Sequence, residues 1–282
     1  MRAAVLQEAR KPIEIFDDLE VIAPRAGEVR VRIKYCGLCH SDLGFLTGKA
    51  PLMGPQVPGH EASGIVDSLG AGVTHLAEGD HVILTPASPC GRCYYCQRKQ
   101  FSLCTDAMGI LSGTLPDGST GISRDGQQVY RGCGIGALAE YVTLPANGAV
   151  KIDKDIPLDV ACVIGCALQT GVGAVLNTAK MEAGATCVVL GLGGIGMATI
   201  QGARVAGAEV IIASDPVAER RAKAADFGAT HVVDPVADDL QSVVMEATGG
   251  IGVDYAFEAA GKAALIEQGI QLTRMGGTTI IV

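Results

Sequence analysis

The stretch that most constrains the fold of this chain runs from Cys187 to Asp215. Its sequence, CVVLGLGGIGMATIQGARVAGAEVIIASD, places an apolar run before a glycine-rich turn and then a segment whose apolar residues recur with the period of a helix. A second apolar run ends at the acidic residue. This order predicts a strand, a tight turn, a helix at 197–206 and a second strand, which together form one βαβ unit of a parallel sheet.

The glycines Gly191, Gly193 and Gly196 stand in the GxGxxG spacing, with Gly194 and Ile195 between them. The first permits a tight turn, the second lets the backbone approach a pyrophosphate, and the third lets helix and strand pack closely. The start of the helix offers free N–H groups and a positive dipole end to the phosphates. The unit therefore predicts dinucleotide binding, although a glycine turn alone can also be purely structural.

Asp215, at the end of the second strand, indicates which dinucleotide to expect. A carboxylate there can accept hydrogen bonds from both hydroxyls of an adenosine ribose, and it would repel a 2'-phosphate. We therefore expect NAD rather than NADP.

The alternation of helix and strand patterns continues to the end of the chain. Helices are predicted at 218–227, 240–247 and 263–273, and strands at 231–233, 253–257 and 278–282. With the glycine-rich unit these segments predict an α/β fold, a doubly wound parallel sheet of five strands.

The first part of the chain has a different pattern. Residues 1 to about 35 alternate in strand fashion, most clearly at 28–34, and residues 139–144 resemble a further strand. Proline and glycine punctuation favours antiparallel strands joined by turns, and residues 105–135 are a turn-rich excursion. A helix-period pattern that begins at Cys162 marks the boundary between predicted domains 1–167 and 168–282.

Four cysteines, Cys90, Cys93, Cys96 and Cys104, lie in one short loop. Four thiolates from such a loop can close tetrahedrally around Zn²⁺ and leave no open position, which is typical of a structural site. An iron–sulfur cluster also takes four cysteines and stays open as an alternative.

A second set of metal-binding residue types precedes this loop. Cys39 and Asp42 lie in the segment CGLCHSD, and His60 and Glu61 follow in PGHEA. A thiolate, an imidazole and carboxylates at loop positions next to strands are suitable zinc ligands and partners of zinc ligands. Cys36 and Cys39 also have the CxxC spacing of a redox motif, which is less favoured because no helix start of the thioredoxin type follows.

Composition and charge exclude several kinds of partner. The net charge is -8 and no run rich in Lys or Arg is present, which argues against nucleic acid and anionic membrane surfaces. The early charges in MRAAVLQEAR interrupt any signal-peptide core, and no stretch of about 18 apolar residues occurs. We therefore expect a cytoplasmic protein whose ten cysteines serve metal binding rather than disulfides.

In order and spacing these motifs closely resemble those of the zinc-dependent alcohol dehydrogenases of the medium-chain dehydrogenase/reductase family. The resemblance covers essentially the whole chain and includes Gly165-Cys166 and Thr170-Gly171. It implies a mostly-β GroES-like catalytic domain followed by a Rossmann domain. It also implies one catalytic and one structural zinc, and hydride transfer between NAD and a primary or secondary alcohol to give an aldehyde or ketone.

The resemblance further implies roles for individual residues. Cys39, His60 and Cys166 would be ligands of the catalytic zinc, with Glu61 close behind the metal and Asp42 hydrogen-bonded to the imidazole. The four-cysteine loop would hold the structural zinc.

Four other positions match family motifs nearer the cofactor and the proton path. Ser41 matches the hydroxyl that passes on the alcohol proton, and His40 matches a frequent pyrophosphate contact. Thr170 matches a contact on the nicotinamide side, and Arg220 matches a basic residue near the adenosine.

The sequence departs from the family pattern at three places. Gly44 stands where many relatives have a histidine that continues the proton relay, and Pro86 stands where some have an aromatic pocket wall. Relatives ordinarily continue past residue 282 into a sixth sheet strand through which they commonly dimerise. We therefore expect a C-terminally truncated form without that dimer contact. A glutathione-dependent formaldehyde dehydrogenase and a zinc- or dinucleotide-binding remnant without turnover stay open as alternatives.

Overall fold

The alternating apolar residues of the first part of the chain form antiparallel strands, as predicted, although one short pair, 56–57 with 130–131, is parallel. In the computed structural model, which describes residues 1–282 except the side chain of Met108, the chain divides into the units Met1–Cys166 and Ala167–Val282. The strands of the first unit are β1 (Ala3–Val5), β2 (Glu14–Phe16), β3 (Glu20–Val21), β4 (Glu28–Gly37), β5 (Gln56–Val57), β6 (Glu61–Leu69), β7 (His81–Leu84), β8 (Ile122–Arg124), β9 (Gln127–Gln128), β10 (Tyr130–Arg131), β11 (Tyr141–Pro145) and β12 (Ala149–Ile152).

The main sheet of this unit has the order β11-β4-β6-β7-β12, and each neighbouring pair is antiparallel. Val29 and Val31 on β4 are fully buried against Val82 of β7 and Val142 of β11 in one apolar core. Arg32, between the apolar positions of β4, is exposed. This alternation produces the sheet because successive side chains of a strand point to opposite faces.

Short helices join these strands. They are α1 (His40–Thr47), α2 (Tyr94–Gln97), α3 (Gly109–Ser112) and α4 (Leu158–Ala161), with 3-10 turns at Phe101–Leu103, Thr105–Met108, Gly132–Gly134, Ala146–Gly148 and Cys162–Gly165. Residues 105–135, predicted as a turn-rich excursion, contain several of these short elements together with β8, β9 and β10.

The second unit has the predicted parallel sheet. Its elements are α5 (Ala167–Gly173), a π-helical segment (Ala174–Ala179), β13 (Thr186–Leu190), α6 (Gly194–Ala206), β14 (Val210–Ser214), α7 (Ala218–Phe227), β15 (His231–Val233), α8 (Leu240–Ala247), β16 (Val253–Glu258), α9 (Ala263–Leu272) and β17 (Thr273–Ile281). The strand order within the described residues is β15-β14-β13-β16-β17, and all neighbours are parallel. Apolar clusters on both faces of the sheet bury it between the helices.

The largest differences from the predicted boundaries of the second unit are at two places. The helix after the glycine turn begins at Gly194 rather than at 197, because Gly193 is an extended N-cap and the helix incorporates the last glycines of the motif. The last strand begins at Thr273 rather than at 278. Thr273 Oγ1 donates to the Gly269 carbonyl 2.7 Å away, and its β-branched side chain favours leaving the helix there.

No single helix of the described residues is long and apolar enough to cross a membrane, and the consecutive segments Leu158–Gly165 and Ala167–Ala179 reach that length and composition only when counted together.

Helices α5 and α6 approach each other closely at Gly171. A Cβ at this position would lie 2.5 Å from Ile195 O and 2.7 Å from Thr199 N, both of which belong to α6. Because backbone atoms cannot yield as a flexible side chain does, this contact requires glycine.

Gly171→Ala is therefore expected to destabilise the protein by roughly 1–3 kcal/mol or more through overpacking. Gly173→Ala in the same helix is the matched control, since its Cβ would meet Asn177 Nδ2 at 3.7 Å, an ordinary contact. It should leave stability unchanged or raise it by up to about 1 kcal/mol through helix propensity. Urea unfolding of both variants measures the difference, and equal stabilities would refute the close approach.

Candidate functional site

The four cysteines of the 90–104 loop bring their sulfur atoms together. Helix α2 begins directly after Cys93 and places Cys96 one turn further on. Cys90 Sγ lies 4.0 Å from Cys96 Sγ, and Cys93 Sγ lies 4.0 Å from Cys104 Sγ. The backbone N–H groups of Cys90, Cys93 and Cys96 donate to cysteine sulfurs at 3.3, 3.4 and 3.5 Å. The Cys96 N–H is the largest of the contacts that lower the pKa of the Cys93 thiol to about 5, whereas burial raises the pKa of Cys96 to about 12.

This spacing fits a single tetrahedral ion. A Zn–S distance of about 2.3 Å requires sulfurs about 3.8 Å apart, close to the separations of 4.0 Å between the two sulfur pairs. A disulfide would need about 2.05 Å, and all ten cysteines are free among the described residues. All four sulfurs lie within 4.8 Å of one another, so they enclose room for one ion. A multi-iron cluster would need its sulfurs further apart.

A second cluster is formed by Cys39, His60, Glu61 and Cys166. One ligand atom from each residue lies within 4.8 Å of the others. The cluster and the 90–104 loop are the metal-binding groups found among the described residues, and both lie in the first unit. Their sulfur and imidazole donors are those that zinc prefers.

Antiparallel pairing explains why these distant residues meet. In the β4–β6 ladder Gly37 is paired with Glu61, so the end of one strand adjoins the start of the other. Cys39 follows the end of β4 and is the N-cap of α1, while His60 immediately precedes β6. Cys166 enters from the 3-10 turn Cys162–Gly165. Cys36 is not a member of this ligand group, and its thiol donates to the Gly37 carbonyl at 3.3 Å. Burial raises the pKa of Cys36 to about 12, which disfavours the thiolate that a redox CxxC motif needs.

Asp42 organises this cluster. Its Oδ2 accepts the Cys39 N–H at 3.0 Å and its Oδ1 accepts the Gly59 N–H at 2.8 Å. The same Oδ1 lies 3.4 Å from His60 Nδ1, a buried nitrogen that has no other partner within the described structure. A carboxylate in this position orients the ring, so Nε2 is the nitrogen left for the cluster.

The clustered groups shift one another's pKa values. Burial lowers the pKa of His60, but contacts with the Asp42 carboxylate and the neighbouring thiols outweigh it and raise that pKa above its usual range. Hydrogen bonds with Cys166 and His60 lower the pKa of Cys39 to about 3, whereas the neighbouring Cys39 raises the pKa of Cys166. A divalent ion would replace the imidazole proton and favour the second thiolate.

Two glycines that frame the cluster have a role that the sequence pattern does not reveal. A Cβ at Gly37 would lie 2.5 Å from Glu61 Oε2, and a Cβ at Gly165 would lie 2.1 Å from the Leu84 carbonyl oxygen. The first leaves room for the carboxylate and the second lets the turn before Cys166 approach β7. The glycines are visible in the motifs, but their neighbours come from other strands.

Cys133 is a further residue near the cluster, and no motif in the sequence singles it out. It is buried, its backbone has the positive φ of 48°, and its side chain contacts the His60 imidazole. A positive φ is uncommon outside glycine, and such residues concentrate near functional sites. No short-range pattern could have indicated this contact.

His40 and Ser41 occupy the first turn of α1, and both are exposed. Ser41 Oγ lies 3.7 Å from Cys39 Sγ, which places the hydroxyl beside the cluster.

The glycine turn of the second unit has the geometry of a dinucleotide cradle. Gly191 has a φ of 95°, and a Cβ at Gly196 would lie 1.9 Å from the Gly191 carbonyl oxygen. A Cβ at Gly193 would meet nothing within 4 Å, so the backbone here faces open space. Gly191 thus suits a tight turn, Gly196 allows close packing of helix and strand, and Gly193 allows a pyrophosphate to approach the start of α6. Gly194 and Ile195 form the first turn of that helix.

Asp215 lies at the carboxyl end of β14 and is almost completely buried. Its oxygens accept the backbone N–H groups of Leu192 and Val217, each at 2.8 Å, and Arg220 Nη1 lies 3.3 Å from Oδ2. Burial raises the pKa of Asp215, but these donors outweigh it and hold the pKa below its usual value. The carboxylate is therefore ionised and has acceptor capacity left. Thr170 lies in α5 of the same unit.

Comparison with known proteins adds to this geometry. Residues 25–154 match the alcohol dehydrogenase GroES-like domain, and residues 194–282 match the zinc-binding dehydrogenase family. The alcohol dehydrogenase class-3 of Drosophila melanogaster is 39% identical over 288 residues, which cover 100% of this chain and 76% of that protein.

Solved structures show the same likeness. Benzyl alcohol dehydrogenase from Acinetobacter calcoaceticus is 32% identical with a TM-score of 0.91, covering 100% of this chain and 76% of that one. A zinc-binding dehydrogenase from Sinorhizobium meliloti 1021, solved bound to NADP, is 30% identical with a TM-score of 0.80, covering 99% of this chain and 75% of that one.

The contact between Gly37 and Glu61 yields a test of the cluster. Gly37→Ala is expected to weaken zinc binding there by roughly tenfold to a hundredfold, because its Cβ would stand 2.5 Å from Glu61 Oε2 and displace the carboxylate. Competition with a chromophoric chelator measures the affinity. Gly44→Ala is the control, since its Cβ would meet Ala50 Cβ at 3.6 Å. Equal zinc affinity in both variants would contradict the positioning of the carboxylate.

Proposed function

Since the chain belongs to the zinc-dependent alcohol dehydrogenases of the medium-chain dehydrogenase/reductase family, we propose that it transfers a hydride between a primary or secondary alcohol and NAD, giving an aldehyde or ketone. The observation that carries this proposal is the convergence of the Cys39, His60 and Cys166 donor atoms within 4.8 Å. Two thiolates and an imidazole are a ligand set of catalytic zinc sites, which keep a fourth position for substrate. Glu61, whose ligand atom lies within the same 4.8 Å, would stand behind the metal.

Each residue of the cluster has a defined task in this proposal. Cys39, His60 and Cys166 would hold Zn²⁺, which when bound lowers the pKa of a coordinated hydroxyl and polarises a carbonyl. Asp42 keeps the imidazole in the orientation and tautomer that a ligand needs. Glu61 supplies a buried carboxylate at the inner side of the cluster. The four-cysteine loop would hold a second, structural zinc.

Ser41 is the group that we propose to move the alcohol proton. Its hydroxyl is exposed and lies 3.7 Å from Cys39 Sγ, so it can accept a proton at the site and pass it to solvent. Proton transfer by a positioned group of this kind contributes substantially to the rate.

We propose NAD as the hydride carrier, bound at the glycine turn. The ionised carboxylate of Asp215 supports this choice, because it can accept both ribose hydroxyls and repels a 2'-phosphate. Arg220, which pairs with that carboxylate at 3.3 Å, would lie near the adenosine. We also propose the Gly191–Gly196 turn and His40 as pyrophosphate contacts and Thr170 as a contact on the nicotinamide side. Because one relative was solved bound to NADP, the choice of NAD rests on Asp215 rather than on the fold.

The substrate in this proposal is a small alcohol or aldehyde. The benzyl alcohol dehydrogenase among the relatives supports a primary alcohol. The ten free thiols of the described chain are compatible with function in a reducing compartment such as the cytoplasm.

Metal content and turnover test the function. We expect two zinc ions per chain, one for each metal-binding group, and NADH formation with at least one alcohol of a panel. The Cys166→Ser variant should contain one zinc fewer and should form no NADH, while the protein stays folded. Cys104→Ser should lose the other zinc and lower the melting temperature, because structural zinc contributes directly to folding.

Elemental analysis, thermal melting and the absorbance of NADH provide these measurements. Zinc-loaded protein that forms no NADH with any alcohol would reject the proposal in favour of a binding remnant. Formaldehyde oxidation that requires added glutathione would instead favour the alternative, a glutathione-dependent formaldehyde dehydrogenase.

The absence of a histidine at Gly44 predicts slow proton release. Gly44 lies one helical turn after Ser41 in α1, and its surroundings leave space for a side chain. The wild-type rate is therefore expected to rise with buffer concentration at constant pH and ionic strength. Gly44→His should raise the rate by up to about a hundredfold and remove that dependence, whereas Gly44→Gln should not. A wild-type rate that is independent of buffer would contradict this expectation.

A further inference from the structure

Glu258 is a fully buried acidic residue that the proposed chemistry does not use. It ends β16, at the carboxyl edge of the parallel sheet. Its Oε1 accepts the backbone N–H groups of Ala260 at 2.9 Å and Lys262 at 3.2 Å. Its Oε2 is buried and has no hydrogen-bond partner among the described residues. A buried carboxylate with one unpaired oxygen is unfavourable, so its presence calls for a compensating role.

The segment that Glu258 holds packs directly against the glycine turn. The Ala259 N–H donates to the Leu190 carbonyl at 2.9 Å, immediately before the turn. A Cβ at Gly191 would lie 2.7 Å from Ala260 Cβ and 3.1 Å from Ala260 N. Glu258 therefore fixes residues 259–262 in contact with the first glycine of the dinucleotide motif.

The topology places this segment at a defined point of the cofactor crevice. From β13 the chain proceeds through β14 to β15 on one side, and then crosses to β16 and β17 on the other. Leu190 and Glu258, at the carboxyl ends of the adjacent strands β13 and β16, are paired in register. Dinucleotides bind across such a switch point, with one mononucleotide on each half of the sheet. Since Asp215 belongs to the half that takes the adenosine, Glu258 belongs to the other half.

We infer that Glu258 is a positioning residue for the nicotinamide half of the dinucleotide. Its Oε1 fixes residues 259–262 beside the Gly191 turn, where they would line the nicotinamide side of the crevice. This inference rests on the proposed NAD-dependent function and adds a residue that acts through the backbone it holds.

Calorimetric titration with NADH and with 5'-AMP tests the inference. Glu258→Leu keeps a side chain of similar size but removes the acceptor of both N–H groups. We expect NADH to bind about tenfold more weakly, while 5'-AMP, which lacks the nicotinamide half, binds as to wild type. Glu258→Gln retains an acceptor oxygen, so this variant should bind NADH about as tightly as the wild type does.

Asp254→Ala is the matched control, because Asp254 lies near the opposite end of β16 and also accepts a backbone N–H, that of Thr186 at 2.8 Å. It should lower the melting temperature without changing the affinity for either nucleotide. Equal losses of NADH and 5'-AMP binding in Glu258→Leu would indicate a general structural role and overturn the inference, as would unchanged NADH binding.

Hydrogen exchange of the wild-type protein provides a measurement that does not depend on any variant folding. NADH should slow amide exchange at residues 259–262, and 5'-AMP should not. The same protection by both nucleotides would overturn the inference. If wild-type protein fails to bind NADH at all, the proposed function fails and the inference with it. If NADH binds but does not selectively slow amide exchange at residues 259–262, the inference fails while the proposed function stands.

Discussion

The structure depends on one constraint, which is that thiol and imidazole groups far apart in the chain must reach a common point. Antiparallel pairing of β4 with β6 meets it, because Gly37 at the end of one strand is in register with Glu61 at the start of the other. The flanking Cys39 and His60 are thereby neighbours. Asp42 then ties both together by accepting the Cys39 N–H and facing the imidazole, so the ring is oriented before any ion binds.

In both units, neighbouring segments pack closely because a glycine at the contact has no side chain. In the first unit the lack of a side chain at Gly37 leaves space for a carboxylate, and in the second Gly191 allows residues 259–262 to pack against the turn. In each case an acidic side chain, Glu61 or Glu258, is buried beside the glycine. Burying a carboxylate is unfavourable unless hydrogen bonds compensate it, and at Glu258 the N–H groups of Ala260 and Lys262 provide part of that compensation.

Much of the fold could be predicted because its signals are local. The period of apolar residues and the glycine spacing predicted the antiparallel first part and the five parallel strands of the described second unit, and both are confirmed. The metal-binding residues were nominated by their types and spacing, except Cys166, which only the family resemblance indicated. The structure brings them together in two clusters within its described part. The start of β17 at Thr273 was missed, because a hydrogen bond to Gly269 and pairing with β16 decide it.

The sequence by itself determined the order of elements, the family and the residues able to bind zinc or a dinucleotide, since residue type and spacing are properties of the chain. Tertiary structure alone decided that Cys133 contacts His60, that Gly37 must lack a side chain, and that Glu258 holds the segment beside Gly191. These relations join residues brought together by strand pairing and crossover connections. Contacts across such distances have no signature in a local pattern, because they exist only when the sheets have formed.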